Sequence, residues 1–402
     1  MSTSSTATVT RVPISLPQRL VSLILIASLL VGSYLLQREY GWQQGALLFV
    51  GVLLGFTLIG ARFGFASAYR KLIVHRQIDG ILAQIVMLLV ATWLFAPTLA
   101  AGEFGEIALS GATAKLGPVL FLGALLFGIG MQLGGACGCG TLAAVGGGNL
   151  SLLVTLFTFA VGAFTASITR HLWKAIPDVP PIVLLENYGT GGAVLIQSFL
   201  LLVLAGLFIG WRIFGQKKTQ NASELPVART LFSGTANQVR LLFIGAVALA
   251  VLNWVTLLLS GIPWRITWTF ALLPAKLASV LGWDSTSAPF WAGEGAQAML
   301  SESIFADVCT VMNIGLVAGA VLAVAVTTRW QTEGQWNTRP LTAHFIGGLL
   351  MGYGALLAAG CNVGAYFSGI ASTSLHGWLW IVAALVGSAI GVKLRPLFGL
   401  EN

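Results

Sequence analysis

Long apolar runs recur along the chain, at about residues 20–36, 45–61, 79–101, 117–134, 149–168, 193–214, 241–260, 264–283, 309–328, 341–359 and 376–393. A helix that crosses a bilayer needs roughly 20 apolar residues, so these runs are long enough to span. They must be helical, because hydrocarbon offers no partner to an open strand edge. Charge leads to the same place. Only 8% of the 402 residues are Asp, Glu, Lys or Arg and 56% are hydrophobic, whereas a soluble domain carries roughly 25% charged residues. The solvent of this chain is a lipid bilayer. Forty-nine glycines permit close helix packing, and thirteen tryptophans suit the membrane interface. The run 20–36 reads as a first membrane helix rather than a signal peptide, since no small-x-small cleavage site follows before Tyr34.

The net charge of +8 reads as loop Lys/Arg obeying the positive-inside rule, not as a nucleic-acid footprint. Arg62, Arg70, Lys71 and Arg76 mark one cytoplasmic loop. Arg212, Lys217, Lys218, Arg229 and Arg240 mark a cytoplasmic linker, and Arg329, Arg339, Lys393 and Arg395 mark two later inner ends. Loops 102–116 and 284–307 lack a basic excess and belong outside. The expected organisation is a tail and first helix (1–44), a first half (45–214), a linker (215–240) and a second half (241–402). Segment 261–308, with Pro263, Pro274 and Pro289, reads as a short or re-entrant pair whose parity stays open.

Within these runs one sentence is written twice. "FGIGMQLGGACGCGTL" at 127–142 aligns without a gap on "MGYGALLAAGCNVGAY" at 351–366, and Cys137 meets Cys361, 224 residues on. The charge tracing sets the two in opposite orientations, the pattern of an inverted-topology repeat with its site near the midplane. Each segment reads as a helix that stops at a cysteine and continues as irregular Gly/Asn-rich backbone, with Asn149 and Thr373 or Ser374 as N-caps of the next helices. Helix N-termini favour anions. A thiol is a soft, weak donor suited to a sulfur-bearing ligand, and as thiolate it attacks sulfane sulfur.

A buried cysteine is ordinarily a small hydrophobe; the repeat lifts Cys137 and Cys361 above that, while Cys139 and Cys309 have no repeat mate. Gly134, Gly135, Gly138, Gly140, Gly360 and Gly364 would let backbone and ligand approach, with Asn362 beside Cys361. The "CGC" triplet also suits copper(I), but no Met-rich or His-rich partner stretch accompanies it, and four scattered histidines make a poor metal site. Asp307 beside an apolar stretch reads either as an intramembrane carboxylate or as an interfacial loop charge. No P-loop, H-E-x-x-H or G-x-S-x-G pattern occurs. The chain reads as a gradient-driven or passive transporter, not an enzyme, without cofactor or metal.

On "GIGMQLGGACGCGTL" at 128–142, "ARFGFASAYRKLIVHR" at 61–76, "VMNIGLVAGA" at 311–320 and "GYGALLAAGCNVGAYFSGIASTSLHGWLW" at 352–380, the chain resembles the YeeE/YedE family of bacterial inner-membrane proteins. Studied members of that family take up thiosulfate. The resemblance, over about 45–395, implies an hourglass-shaped, multi-pass protein that passes thiosulfate by S–H···S hydrogen bonds, with Cys137 and Cys361 as the central thiols. A third family cysteine falls where this chain reads Arg62-Phe63-Gly64-Phe65, so Gly64 replaces it and Cys139 or Cys309 is the candidate substitute. The expected partners are a small sulfur-containing anion and the bilayer. Alternatives are transport of a selenium species or other soft anion, or sulfur transfer through a cysteine persulfide to a cytoplasmic acceptor protein.

Overall fold

The computed structural model describes residues 12–13, 18–217, 232–326, 331–332 and 336–402; residues 218–231 of the expected linker lie outside them. Among the described residues, strands occur only as two-residue pairs, such as Glu103–Phe104 with Ile107–Ala108. Ten helical stretches are long and apolar enough to cross a membrane. The protein is an all-α, multi-pass membrane protein.

The first helices are α1 (Gln18–Tyr40), α2 (Trp42–Gly60), short α3 (Phe65–His75) and α4 (Asp79–Ala101). Next come α5 (Pro118–Leu133), short α6 (Gly138–Gly146) and α7 (Leu153–Thr169). Helix α8 (Leu184–Lys217) bends at Gly189, whose φ of 67° leaves the helical region. It is followed by α9 (Ala236–Ser260), short α10 (Thr267–Val280) and α11 (Glu294–Ser301), and α12 (Val308–Val326). The chain then forms α13 (Thr338–Leu357), a π-helical turn at Asn362–Phe367 running into α14 (Ser368–Ala371), and α15 (Leu375–Leu394).

The apolar run 264–283, within the segment read as a short or re-entrant pair, forms no span. Gly261 closes α9 at φ 76°, and Pro263, with no N–H and a fixed φ, bars continuation. Only the 14 residues of α10 are left, too few for a hydrocarbon core of about 30 Å at about 1.5 Å per residue.

Packing brings the long helices together in recurring partnerships. Helix α2 lies along α12 and α9 along α4; α5 lies along α15 and α7 along α13. The pairs α5–α13 and α2–α9 pack directly, while α1 lies on α12 and α8 on α4. The short helices fill in: α6 against α12, α14 against α4, α3 against α15 and α10 against α7. Glycines set how closely the long helices approach. A Cβ on Gly162 of α7 would collide with the Leu349 carbonyl, and one on Gly387 of α15 with the Leu125 carbonyl. Lipid offers no hydrophobic drive for helix association, so such backbone contact supplies the packing energy instead. Helix α1 stays peripheral, with Leu23, Ile24, Leu30 and Val31 exposed.

Candidate functional site

Each glycine–cysteine segment is a sharp break between a long helix and a short one. After α5, the Gly134 N–H closes on the Gly130 carbonyl at 2.7 Å, Gly135 takes φ 91°, and Cys137 becomes the N-cap residue of α6. After α13, the Ala358 N–H closes on the Gly354 carbonyl at 2.9 Å, and Ala359 and Gly360 take φ 58° and 142°. Cys361 then precedes the π-helical turn. Left-handed backbone suits glycine, which has no Cβ to clash.

This corrects two expectations. The irregular backbone is confined to residues 134–137 and 358–361, and helix resumes directly after the cysteines. Asn149 and Ser374 do precede helical segments, but neither side chain caps one. Their polar atoms are taken elsewhere: Asn149 Oδ1 accepts from Ser151 Oγ at 2.8 Å, and Ser374 Oγ is bonded to His376 Nδ1 at 2.8 Å. Thr373 Oγ1 accepts from the Leu185 N–H at 3.1 Å.

Other short-helix starts gather around the cysteines. Gly64 precedes α3 and Ile266 precedes α10. A Cβ added at Gly138 would lie 3.7 Å from Ile266 and 3.9 Å from the Cys361 sulfur, so the starts of α6, α10 and the π turn adjoin. Helix α3 joins them through polar links. Asn362 Nδ2 donates to Tyr69 Oη at 3.2 Å, and Gln132 Nε2 donates to the Ala66 carbonyl at 3.0 Å. The side-chain amide oxygen of Asn362 is buried without a partner among the described residues. Gly140 lies against the Cys137 sulfur, where an added Cβ would be 3.4 Å away, whereas Gly364 faces open space.

All four cysteines are free and buried. The Cys137 and Cys139 sulfurs are 3.5 Å apart, close enough to share an S–H···S bond. Cys309, in the first turn of α12, donates its thiol to the Arg265 carbonyl just ahead of α10 at 3.2 Å. Beside it lies a cavity of about 160 Å³, lined in part by Arg265, Trp268, Met299 and Asp307. Burial pushes the Asp307 carboxyl up, against the opposing pull of the Thr310 hydroxyl and N–H. Among the described residues no three His, Cys, Asp or Glu side chains gather closely enough to hold a metal ion.

Two arginines touch the breaks, one of them read from sequence only as a topology marker and the other passed over. Arg395 Nη1 donates to the Gln132 carbonyl at 2.6 Å, and Arg170 Nη1 to the Leu356 carbonyl at 2.6 Å. A hint was present, since the two lie one residue off the repeat spacing.

Residues 60–390 match the family described as sulphur transport. The chain is 26% identical over 354 residues to the thiosulfate transporter TsuA of Spirochaeta thermophila, spanning 85% of this chain and 96% of that protein. It is 24% identical over 347 residues to TsuA of Escherichia coli, spanning 85% and 91%. The probable transporter YedE of Escherichia coli is 29% identical over 142 residues, 35% of this chain and 34% of that protein. The family match takes in both breaks and all four cysteines, and the chain accordingly belongs to the YeeE/YedE family of sulphur transporters, as a transporter and not an enzyme.

Proposed function

We propose that the protein imports a small sulfur-containing anion, thiosulfate foremost, across the bacterial inner membrane by way of thiols at the two breaks. One observation carries the reading. Cys137 and Cys361 are buried and each stands at the start of a short helix inside a membrane-spanning stretch. The positive end of a helix attracts an anion without the tight hold of a fixed cation. The thiol adds a weak, soft donor that suits terminal sulfur better than strongly hydrated oxygen. The names of the two TsuA relatives, matched over most of this chain, agree with it.

The same reading divides the chain into two inverted halves. Exchanging α2 with α9, α4 with α12, α5 with α13 and α7 with α15 turns each packing partnership among these eight helices into another that is present. Helix α8 stands to α4 as α1 stands to α12, which favours a boundary ahead of α8 over one in the linker 215–240. On this scheme α3 and α10 are counterparts. The thiol missing at Gly64, ahead of α3, is then made up by Cys309 beside the start of α10. A selenium species is the alternative cargo of the same chemistry. Persulfide transfer to a cytoplasmic acceptor has less support, because no cysteine is exposed for an acceptor to reach.

Uptake of radiolabelled thiosulfate in cells that cannot otherwise import it tests the reading, with wild type, Cys137→Ala, Cys361→Ala and empty vector compared. The expected result is uptake that needs both cysteines. Wild-type uptake equal to the vector would remove thiosulfate as cargo and turn the assay to selenium species. Undiminished uptake by both variants would reduce the cysteines to packing residues.

A further inference from the structure

The broken helices set a problem for an anion. Each break places a helix start beside the path, which is favourable, but it also places there the end of a long helix. The last carbonyls of a helix are unpaired and carry partial negative charge. Helices α5 and α13 would thus repel the cargo that α6 and the π turn attract.

The two arginines answer this point for point. Arg395 donates to the Gln132 carbonyl in the last turn of α5, and Arg170 to the Leu356 carbonyl in the last turn of α13. Gln132 and Leu356 are 224 residues apart, the spacing that aligns Cys137 with Cys361. Arg170 directly follows α7 and Arg395 directly follows α15. Each arginine therefore leaves the last long helix of one half and reaches the broken helix of the other. We infer that Arg170 and Arg395 are a matched pair of positioning residues that neutralise the negative ends of the broken helices, opening both approaches to the thiols to an anion; this rests on the transport reading above.

Two observations separate this from simple stapling. Among the described residues neither guanidinium has a carboxylate partner, the ion pair present there being Lys115–Asp178. Arg395 is only 7% exposed and meets carbonyls alone: that of Gln132, and that of Glu401 through Nε at 3.1 Å and through Nη2. Arg170 is exposed and packs its guanidinium 5.9 Å from the Phe290 ring centre. A neutral amide could hold a carbonyl, whereas a buried cation without a counter-ion is costly. At Arg395 that cost is borne and the charge retained; Arg170 repeats its carbonyl contact in an exposed setting. Nor does the positive-inside rule account for the pair, because inverted halves put the two on opposite faces.

The test is initial uptake of radiolabelled thiosulfate into proteoliposomes holding wild type, Arg170→Gln, Arg395→Gln, Arg170→Lys or Arg395→Lys. Thermal unfolding of each purified protein is recorded alongside. Each Gln variant is expected to unfold as a cooperative protein yet transport about tenfold more slowly, while its Lys counterpart recovers most of the rate because charge survives without the fork. Gln variants with wild-type rates overturn the proposal. So do Lys variants as slow as the Gln variants at equal folded protein, since shape and not charge would then be the requirement. Wild-type liposomes that take up no thiosulfate overturn the transport reading as well, an outcome distinct from active wild type with indifferent variants.

Discussion

Set side by side, the break after α5 carries two thiols with sulfurs 3.5 Å apart, while the break after α13 carries one thiol and an amide, Asn362, tied to Tyr69. In the aligned sentence Gly138 stands where Asn362 does, and Cys139 where Val363 does. Helix resumes as an ordinary α-helix at the first break and as a π turn at the second. The second is also braced by aromatic rings. Trp380 Nε1 donates to the Gly360 carbonyl at 3.2 Å, and Tyr366 stacks on Trp380. The backbone device is shared, but the side chains around it are not. The first break offers a thiol pair that can pass an S–H···S bond from one sulfur to its neighbour. The second holds an amide donor tied to Tyr69 and an amide oxygen without a partner among the described residues, next to a single sulfur.

The largest expected effect comes from removing the central thiols. Cys137→Ala and Cys361→Ala should each lower thiosulfate uptake by about tenfold or more, since each removes a buried donor. Cys139→Ala should cost only about threefold if Cys137 leads and Cys139 seconds it. Equal losses at all three positions would break the contrast between the two breaks.

Stability provides a second, smaller contrast, because the left-handed position is glycine at the first break and alanine at the second. Gly135→Ala should destabilise by about 1–2 kcal/mol from the left-handed strain, aggravated by Leu152, whose Cδ2 would lie 3.0 Å from the new Cβ. Ala359→Gly relieves the same strain while adding chain entropy to the unfolded state, for a net gain of less than about 1 kcal/mol. Unfolding of the purified variants in one detergent reads both signs, and a loss at Ala359→Gly would show that its methyl is needed for packing. Tyr69→Phe, which frees the Asn362 amide, probes the second break alone. About 1 kcal/mol of hydrogen bonding goes with it, and uptake should drop about fivefold if that amide orients the cargo. An unchanged rate would mean that the π turn holds Asn362 without help.

Much of this protein was legible in its sequence because the relevant physics is local. A run of apolar residues needs nothing but its own length to prefer the bilayer, and ten spans follow from that. The breaks were legible too, since small residues and a cysteine interrupt an otherwise continuous run, twice. What misled was also local. Asn149, Thr373 and Ser374 have the chemistry of caps, but their polar atoms were claimed by Ser151, Leu185 and His376, and nothing in the residues themselves announces such a prior engagement. The prolines of segment 261–308 did announce that its apolar run would be short, and 14 helical residues stand there.

The sequence by itself therefore determined the solvent, the helices and the points at which two of them stop. Tertiary structure decided what stands at those stops. Cys309 comes to the start of α10 across 44 residues, Arg170 reaches Leu356 across 186, and Arg395 reaches Gln132 across 263. A hydrogen bond acts over about 3 Å, so its partners are set by which helices pack together, and that is a property of the assembled bundle rather than of any stretch of chain.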